Sequence, residues 1–145
     1  MDFEDLRAAL AARRDYGWSV PGMEPVSLTD GRVAISVEVT LDLVNSAKTM
    51  HGGVAATLVD VVGTLAIITA DQHNRFGVST DLNLSWFAPV PLGDRALVEA
   101  TVLKCGRSLA FVSVDITRES DGVLAVQGRM TKSLGPVPAA PDASG

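Results

Sequence analysis

The chain has 145 residues, enough for one domain with a sizeable core and too few for two ordinary domains. Hydrophobic residues make up 47% of the chain, a share typical of globular rather than disordered proteins. The formal net charge of -5 argues against a nucleic-acid partner, because duplex binding needs clustered Lys and Arg side chains.

The sequence offers little for metal or disulfide chemistry. Cys105 is the single cysteine, so an internal disulfide and a thiolate metal site are both excluded. His51 and His73 are too few and too isolated for a His-rich site, and we expect no metal and no cofactor. The N-terminal stretch does not resemble a signal peptide, and no apolar run reaches the ~18–20 residues of a membrane span. We therefore expect a cytoplasmic protein, with a mitochondrial location left open.

The first half of the chain predicts a helix, a loop and a strand. Residues 2–14 carry apolar side chains at helical spacing among charged ones, which predicts an amphipathic N-terminal helix. Residues 16–25 contain Gly and Pro residues that break this pattern, and we predict a loop there. Residues 32–40 alternate between apolar and polar side chains, which predicts a half-buried strand.

A second helix is predicted over residues 52–70. Its sequence is apolar on every face, is too long for a strand and carries one charge, on Asp60. A helix that is apolar all round must be buried on all sides. In a single domain of this length, such burial requires a sheet wrapped around one central helix.

The second half of the chain predicts the sheet. Residues 77–87 alternate as a strand does, and Pro and Gly residues then break the pattern. Three further strands are predicted over residues 95–104, 108–118 and 122–132. This order is that of an α+β domain over residues 1–135, followed by a small, Pro-rich tail over 136–145 that we expect to be disordered.

Two features of the central helix suggest a chemical site. An ionised Asp60 without partners in a buried helix would be costly, and such residues cluster at functional sites. The alternative is an Asp satisfied by hydroxyl or amide groups for packing alone. Gly52 and Gly53 let a ligand approach bare N–H groups at the helix start, as in an oxyanion site, although most Gly pairs are merely turns.

The spacing of these two features limits how they can cooperate. Gly52 and Asp60 are eight residues apart, which is about 12 Å along a helix. Both groups would have to lie within about 3 Å of the reacting atoms. If both serve one reaction, they must therefore come from different subunits, and the hypothesis requires an oligomer with sites at its interface.

Four segments, in this order and nearly this spacing, resemble the hotdog-fold acyl-CoA thioesterases, including thioesterase superfamily member 2 and the phenylacetate-pathway enzymes. They are NSAKTMHGGVAATLVDVVGTLA, GVSTDLNLSWFAPVPLGD, VLKCGRSLAFVSVDI and GRMTKSLG. The resemblance runs from about residue 33 to 135. It implies an antiparallel sheet wrapped around a long helix, an acyl-CoA substrate, and homodimers that usually pair into tetramers.

The resemblance also implies roles for individual residues. Asp60 would activate the attacking water or attack the thioester itself, and Ser79 would help to hold that water. Gly52 would polarise the thioester carbonyl through its N–H, aided by the side-chain amide of Asn45. His51 and Gly53 would be supporting residues, His51 by holding the Asn and its loop. One subunit would supply Asn45 and Gly52, and its neighbour would supply the carboxylate and the hydroxyl.

The residues that would bind CoA are less sharply defined. Related enzymes often contact the CoA phosphates at the turn that holds Lys104, Arg107 and Ser108 in this sequence. Arg129 and Lys132 on the last strand are alternatives, since phosphate recognition needs Arg or Lys. The simplest alternative for all of them is a solvated basic face.

Plainer interpretations and rival functions remain open at this point. Ser79 could face solvent, Asn45 could cap a turn, and His51 could be a loop histidine. A hotdog hydratase or dehydratase would need a His paired with an Asp or Glu, and neither histidine has a convincing partner. A non-catalytic acyl-CoA-binding protein would not require a carboxylate facing a carbonyl. We expect metal-free hydrolysis, by activated water or through an Asp anhydride.

Overall fold

The computed structural model describes residues 1–12, 16 and 19–139. The α-helices and strands are, in chain order, α1 (Phe3–Ala12), β1 (Met23–Thr29), β2 (Arg32–Glu38), α2 (Gly52–Ala70), β3 (Val78–Trp86), β4 (Arg95–Cys105), β5 (Leu109–Arg118) and β6 (Leu124–Ser133). A 3-10 helix, Leu41–Leu43, lies between β2 and α2. The last two residues of the predicted N-terminal helix, and residues 140–145 of the predicted tail, lie outside the described residues.

The strands form one antiparallel sheet in the order β1-β2-β4-β5-β6-β3, and α2 packs against one of its faces. The predicted α+β hotdog architecture, a sheet wrapped around a long central helix, is confirmed. Its core consists of alternate residues of the strands and one face of α2. Burial of these side chains is the main stabilising contribution to such a fold.

Small residues bring α2 close to the sheet. A Cβ atom added to Gly63 would lie 2.7 Å from Met130 Cε and 2.9 Å from Val112 Cγ1. A Cβ atom on Gly128 of β6 would lie 2.8 Å from Val59 Cγ1. Gly63 therefore allows close packing of α2 against the sheet.

The strand β1 was missed by the sequence analysis, which predicted a loop over residues 16–25. It lies at the edge of the sheet and pairs with β2, with an irregularity in register between Pro25 and Ser27. An edge strand tolerates a proline because the missing N–H faces away from the neighbouring strand. The proline that argued for a loop instead marks the edge of the sheet.

The prediction that α2 is buried on all sides is wrong for the single chain. Nine of its residues are buried, but Asp60 and Val61 are half-buried, and the neighbouring β3 is exposed along most of its length. β3 follows α2 in the chain but pairs with β6, which makes it the second edge strand. Apolar side chains of β3 remain accessible, with Val78 71% and Trp86 54% exposed.

α2 also bears on the prediction that no segment could cross a membrane. By length and composition alone this helix would be sufficient for a span. In the structure it packs against the sheet as the core helix of the domain, and contacts β2, β3, β4, β5 and β6. The core of a folded domain passes the same test of length and composition, which explains the result.

Candidate active site

At the start of α2, one backbone N–H group has no partner among the described residues. His51 is the N-cap residue: its Nδ1 accepts a hydrogen bond of 2.9 Å from the Gly53 N–H, and its carbonyl oxygen accepts from Val54 and Ala55. In the described part of the chain, the Gly52 N–H has no acceptor. A free N–H at the positive end of a helix is suited to bind an oxygen that gains negative charge.

The side chain of Asn45 is fixed by its own loop. Its Oδ1 accepts hydrogen bonds from the N–H groups of Ala47 (3.0 Å) and Thr49 (3.2 Å), and its Nδ2 donates to Thr49 Oγ1 at 3.0 Å. An amide nitrogen has two protons, so the second remains for a ligand. Asn45 does stabilise a turn, as the plainer interpretation held, but the turn also orients a donor.

Asn45 and Gly52 open into the same cleft, which has a volume of about 350 Å³. Trp86 and Phe87 also line this cleft, and both side chains are more than half exposed. The Trp86 ring lies so close to Gly52 that an added Cβ atom would be 3.4 Å from its Nε1. The cleft thus combines two hydrogen-bond donors with apolar and aromatic walls, as small-molecule sites usually do.

A second group of site residues lies further along α2. Ser79 of β3 donates a hydrogen bond of 2.7 Å to Asp60 Oδ1, and its Oγ is 3.6 Å from Met130 Sδ. Asp60 is half-buried and Ser79 is exposed in the single chain. The Ser79 side chain is therefore directed at the carboxylate rather than merely at solvent, and the pair is open to a ligand from the uncovered side of α2.

Within one chain these two groups remain apart. Asn45 and Gly52 are at the N-terminal end of α2, whereas Asp60 follows Gly52 by eight residues, about 12 Å along the helix axis. Asp60 does not line either of the two clefts at Gly52, which have volumes of about 350 and 420 Å³. The geometry is that of two separate half-sites.

The candidate CoA contacts are only partly brought together. Lys104 is the last but one residue of β4, and Arg107 and Ser108 lie in the turn into β5; all three are exposed. Arg129 is also exposed, but it pairs with Ser113, four residues along β5 from the end that adjoins the turn, or about 14 Å.

An ion pair that the sequence analysis missed supports this turn. Arg75 Nη2 lies 2.8 Å from Asp71 Oδ1, and both side chains are buried. Arg75 Nη1 donates to the carbonyl oxygens of Arg107 (3.1 Å) and Gly135 (2.9 Å). The Arg75 hydrogen bond lowers the pKa of Asp71 to about 2. The i,i+4 spacing of an acid and a base after α2 was the available signal.

Neither Cys105 nor the clustering of acidic, His and Cys side chains adds to the two half-sites in the described part of the chain. Burial raises the pKa of the Cys105 thiol, which disfavours the reactive thiolate. Among the described residues there is no group of three or more His, Cys, Asp or Glu side chains that could hold a metal ion. The chemistry available at the two half-sites is therefore that of a carboxylate, a hydroxyl and hydrogen-bond donors.

The fold and these half-sites define a thioester hydrolase of the hotdog type. The sequence model of the thioesterase superfamily matches residues 47–125, and the chain belongs to this superfamily. Human acyl-coenzyme A thioesterase 13 is 42% identical over 127 residues, which are 88% of this chain and 90% of the human protein.

Solved structures show the same fold. Zebrafish thioesterase superfamily member 2 is 37% identical, with a TM-score of 0.82 over 90% of this chain and 94% of that one. A Streptococcus mutans protein bound to acetyl CoA has a TM-score of 0.76 over 88% of this chain and 97% of its own. At 21% identity, this second likeness concerns the fold alone.

Proposed function

We propose that the protein hydrolyses acyl-CoA thioesters to free acid and CoA, in sites shared between two subunits. The observation that carries this proposal is the unpartnered Gly52 N–H beside Asn45 Nδ2, in a cleft that holds no carboxylate. The Asp60–Ser79 pair lies about 12 Å further along α2 than the Gly52 N–H of its own chain. Each half-site supplies what the other lacks. Human acyl-coenzyme A thioesterase 13, by its name, acts on this class of substrate.

The carbonyl half-site acts on the thioester oxygen. The Gly52 N–H and the second Asn45 N–H donate to this oxygen while the carbon becomes tetrahedral, and both stabilise the charge that accumulates on it. Neither donor has to reorganise during the reaction, because the helix fixes Gly52 and four hydrogen bonds fix the Asn45 side chain. The acyl group would lie against Trp86 and Phe87.

The carboxylate half-site supplies the attack. Asp60 takes a proton from water held by Ser79 as the water oxygen bonds to the carbonyl carbon, and the C–S bond then breaks. Alternatively, Asp60 itself bonds to the carbon, CoA leaves as a thiolate, and water cleaves the resulting anhydride. Both routes yield one carboxylic acid and one CoA thiol for each water consumed. The thiolate is a good leaving group, so little acid catalysis is needed.

The uncovered surface of α2 and β3 supports a homodimer. Val78, Leu82 and Trp86 are exposed on β3, and Asp60 lies on the adjoining face of α2. An edge strand that has one free side and exposed apolar side chains is suited to pair with the same strand of another copy. A two-fold arrangement that sets the two α2 helices side by side would place Gly52 of one copy near Asp60 of the other. We further propose that such dimers pair into tetramers, with CoA phosphates near Lys104 and Arg107.

Release of free CoA from a panel of acyl-CoAs, phenylacetyl and medium-to-long chain, tests the activity. Mixing two inactive variants tests the shared site. Asp60→Asn and Asn45→Ala chains, unfolded and refolded together, form mixed dimers in which one of the two sites is intact. Random pairing should restore about a quarter of wild-type activity.

Three controls make the mixing experiment decisive. Each variant refolded alone should stay inactive, and wild type refolded in the same way sets the maximum. No recovery in a mixture shown by mass spectrometry to contain mixed dimers would contradict the shared site. If wild type releases no CoA but binds a non-hydrolysable acyl-CoA analogue, the protein is an acyl-CoA binder instead.

A further inference from the structure

A lysine is buried beneath the central helix, and the reaction described above does not use it. Lys132 of β6 is 6% exposed, whereas lysine side chains are almost never so deeply buried unless they are paired. Among the described residues, no carboxylate oxygen lies within 4.0 Å of its ammonium group as an ion pair. Burial without a close partner lowers the pKa of Lys132 below its ordinary value of 10.5. This arrangement requires an explanation.

The position of Lys132 along β6 directs it toward α2. Gly128 and Met130 both approach this helix, at Val59 and Gly63. Alternate residues of a strand lie on one face of the sheet, so Lys132 shares the face of Gly128 and Met130. It is therefore not on the outer face, where a CoA phosphate could reach the exposed Arg129.

The neighbour of Lys132 across the strands is Ser79. The two residues are register partners between β3 and β6, and such partners have Cβ atoms roughly 4.5–5.5 Å apart. Ser79 in turn donates its hydrogen bond of 2.7 Å to Asp60. On the other side Lys132 pairs with Ala110, which is apolar and buried. The Lys132 side chain thus starts beside the Asp60–Ser79 pair, and its register partner on β5 offers it no polar group.

Other charged groups in the described residues do not compete for Lys132. Asp60 is the single charged residue of α2. On β3, Asp81 pairs with Thr131 and so lies on the opposite face of the sheet. The Asp71–Arg75 pair beyond the end of α2 is internally neutral. Burial lowers the pKa of Lys132, and attraction to Asp60 raises it by a smaller amount. Among the described residues, Asp60 is the single charged group that shifts this pKa by attraction.

We propose that Lys132 is a positioning residue for the reaction, whose buried positive charge orients the Asp60 carboxylate toward Ser79 and balances its negative charge. This inference rests on the proposed function. The positive charge would act before the reaction begins, because it holds the Asp60 carboxylate toward Ser79 in the free enzyme. The carboxylate then does not have to rearrange as it takes the proton or attacks the carbonyl carbon.

The first test is kinetic. Lys132→Met keeps the length and apolar stem of the side chain but removes the charge. We expect kcat to fall about tenfold or more with KM little changed, because the group acts on the reacting carboxylate and not on substrate binding. Arg32→Met is the matched control, since Arg32 is exposed at the start of β2 and its loss should change neither constant.

The pH profile separates this role from a structural one. Because burial lowers the pKa of Lys132, wild-type kcat should decline on the alkaline side below pH 10.5, as the ammonium loses its proton. Lys132→Arg retains its charge in this range and should displace the decline to higher pH. Lys132→Met should be slow throughout, without this decline. An active wild type with an unchanged rate and profile in Lys132→Met would overturn the proposal and leave the thioesterase function standing.

A second measurement requires no activity. The ¹³Cε resonance of Lys132 reports its titration in the folded protein, in wild type and in Asp60→Asn. Removal of the Asp60 charge should lower the pKa of Lys132 further, since this charge raises it. An identical titration in the two proteins would show that the groups do not interact, and would overturn the proposal even if the Lys132 variants fail to fold or wild type hydrolyses nothing.

Discussion

The two half-sites are built in different ways. Asn45 and Gly52 are held by bonds local in sequence, within the loop before α2 and the first turn of that helix. Asp60 and Ser79 are 19 residues apart in the chain, and they meet only because α2 lies against the edge strand β3. The carbonyl half-site is therefore rigid by itself, whereas the carboxylate half-site depends on tertiary packing at an uncovered surface.

The largest effect on the rate is expected when the charge of the carboxylate half-site is removed. Asp60→Asn keeps the size of the side chain but eliminates its ability to act as base or nucleophile, so kcat should fall by about 10² or more. The substrate should still bind, because the carbonyl half-site is intact. Steady-state CoA release and binding of a non-hydrolysable acyl-CoA check both points. A variant that retained more than half of wild-type kcat would refute the role of Asp60.

The next largest effect is expected from a substitution that weakens the carbonyl half-site. Asn45→Ala removes one of two donors to the developing oxyanion, and kcat should fall by about 10². The same substitution also removes the hydrogen bonds to the loop, so the neighbouring Ser46→Ala serves as a control for disturbance of the exposed loop. If Ala at either position had the same small effect, the Asn45 amide would have no special part in the reaction.

A smaller effect concerns stability rather than rate. The pKa of Asp71 is about 2 in the folded protein against an ordinary 3.8, so this group stabilises the fold above pH 4. The contribution is lost as the pH falls from about 4 to 2, where the folded protein takes up the proton. Asp71→Asn should lower the free energy of unfolding by about 2 kcal/mol at pH 6.

Urea unfolding at pH 6, 4 and 2.5, at constant protein concentration, checks this window. The difference between wild type and Asp71→Asn should shrink toward zero at the lowest pH. Asp42→Asn, at an exposed position, is the control and should show no such difference. A gap between wild type and Asp71→Asn that stayed constant from pH 6 to 2.5 would show that the Asp71 charge is not its source.

The smallest effect on the rate is expected when the hydroxyl group that contacts the Asp60 carboxylate is removed. Ser79→Ala deletes one hydrogen bond to Asp60 at an exposed position, so the thermal midpoint should change little while kcat falls about tenfold. Ser85→Ala, elsewhere on β3, is the control. If the two variants had the same kcat and KM, the hydrogen bond between Ser79 and Asp60 would have no part in catalysis.

Much of the fold could be predicted from the sequence. Alternation of apolar residues indicated five of the six described strands, and the apolar run after Gly52 indicated α2. β1 escaped because an edge strand has one neighbour, tolerates Pro25 and buries little, so its sequence resembles a loop. The exposure of one side of α2 escaped because an apolar sequence does not distinguish burial within a chain from burial between chains.

The site was less accessible from the sequence alone. Asp60 and the glycines at the start of α2 are unusual where they stand, and residue type was enough to single them out. The approach of Ser79 and of Lys132 to Asp60 depends on which strands are neighbours, and β3 pairs with β6 rather than with β4, the strand that follows it. Spacing along the chain carries no information about such a pairing.

The two edges of the sheet differ in a way that bears on aggregation. β1 carries Pro25, which removes an N–H group from that edge and so discourages another strand from adding there. β3 has no proline and exposes apolar side chains. A sheet with one blocked and one open edge can extend only once, since two copies that join through β3 leave only blocked edges outside. Growth then ends at a closed pair, and a fibril has no edge from which to continue.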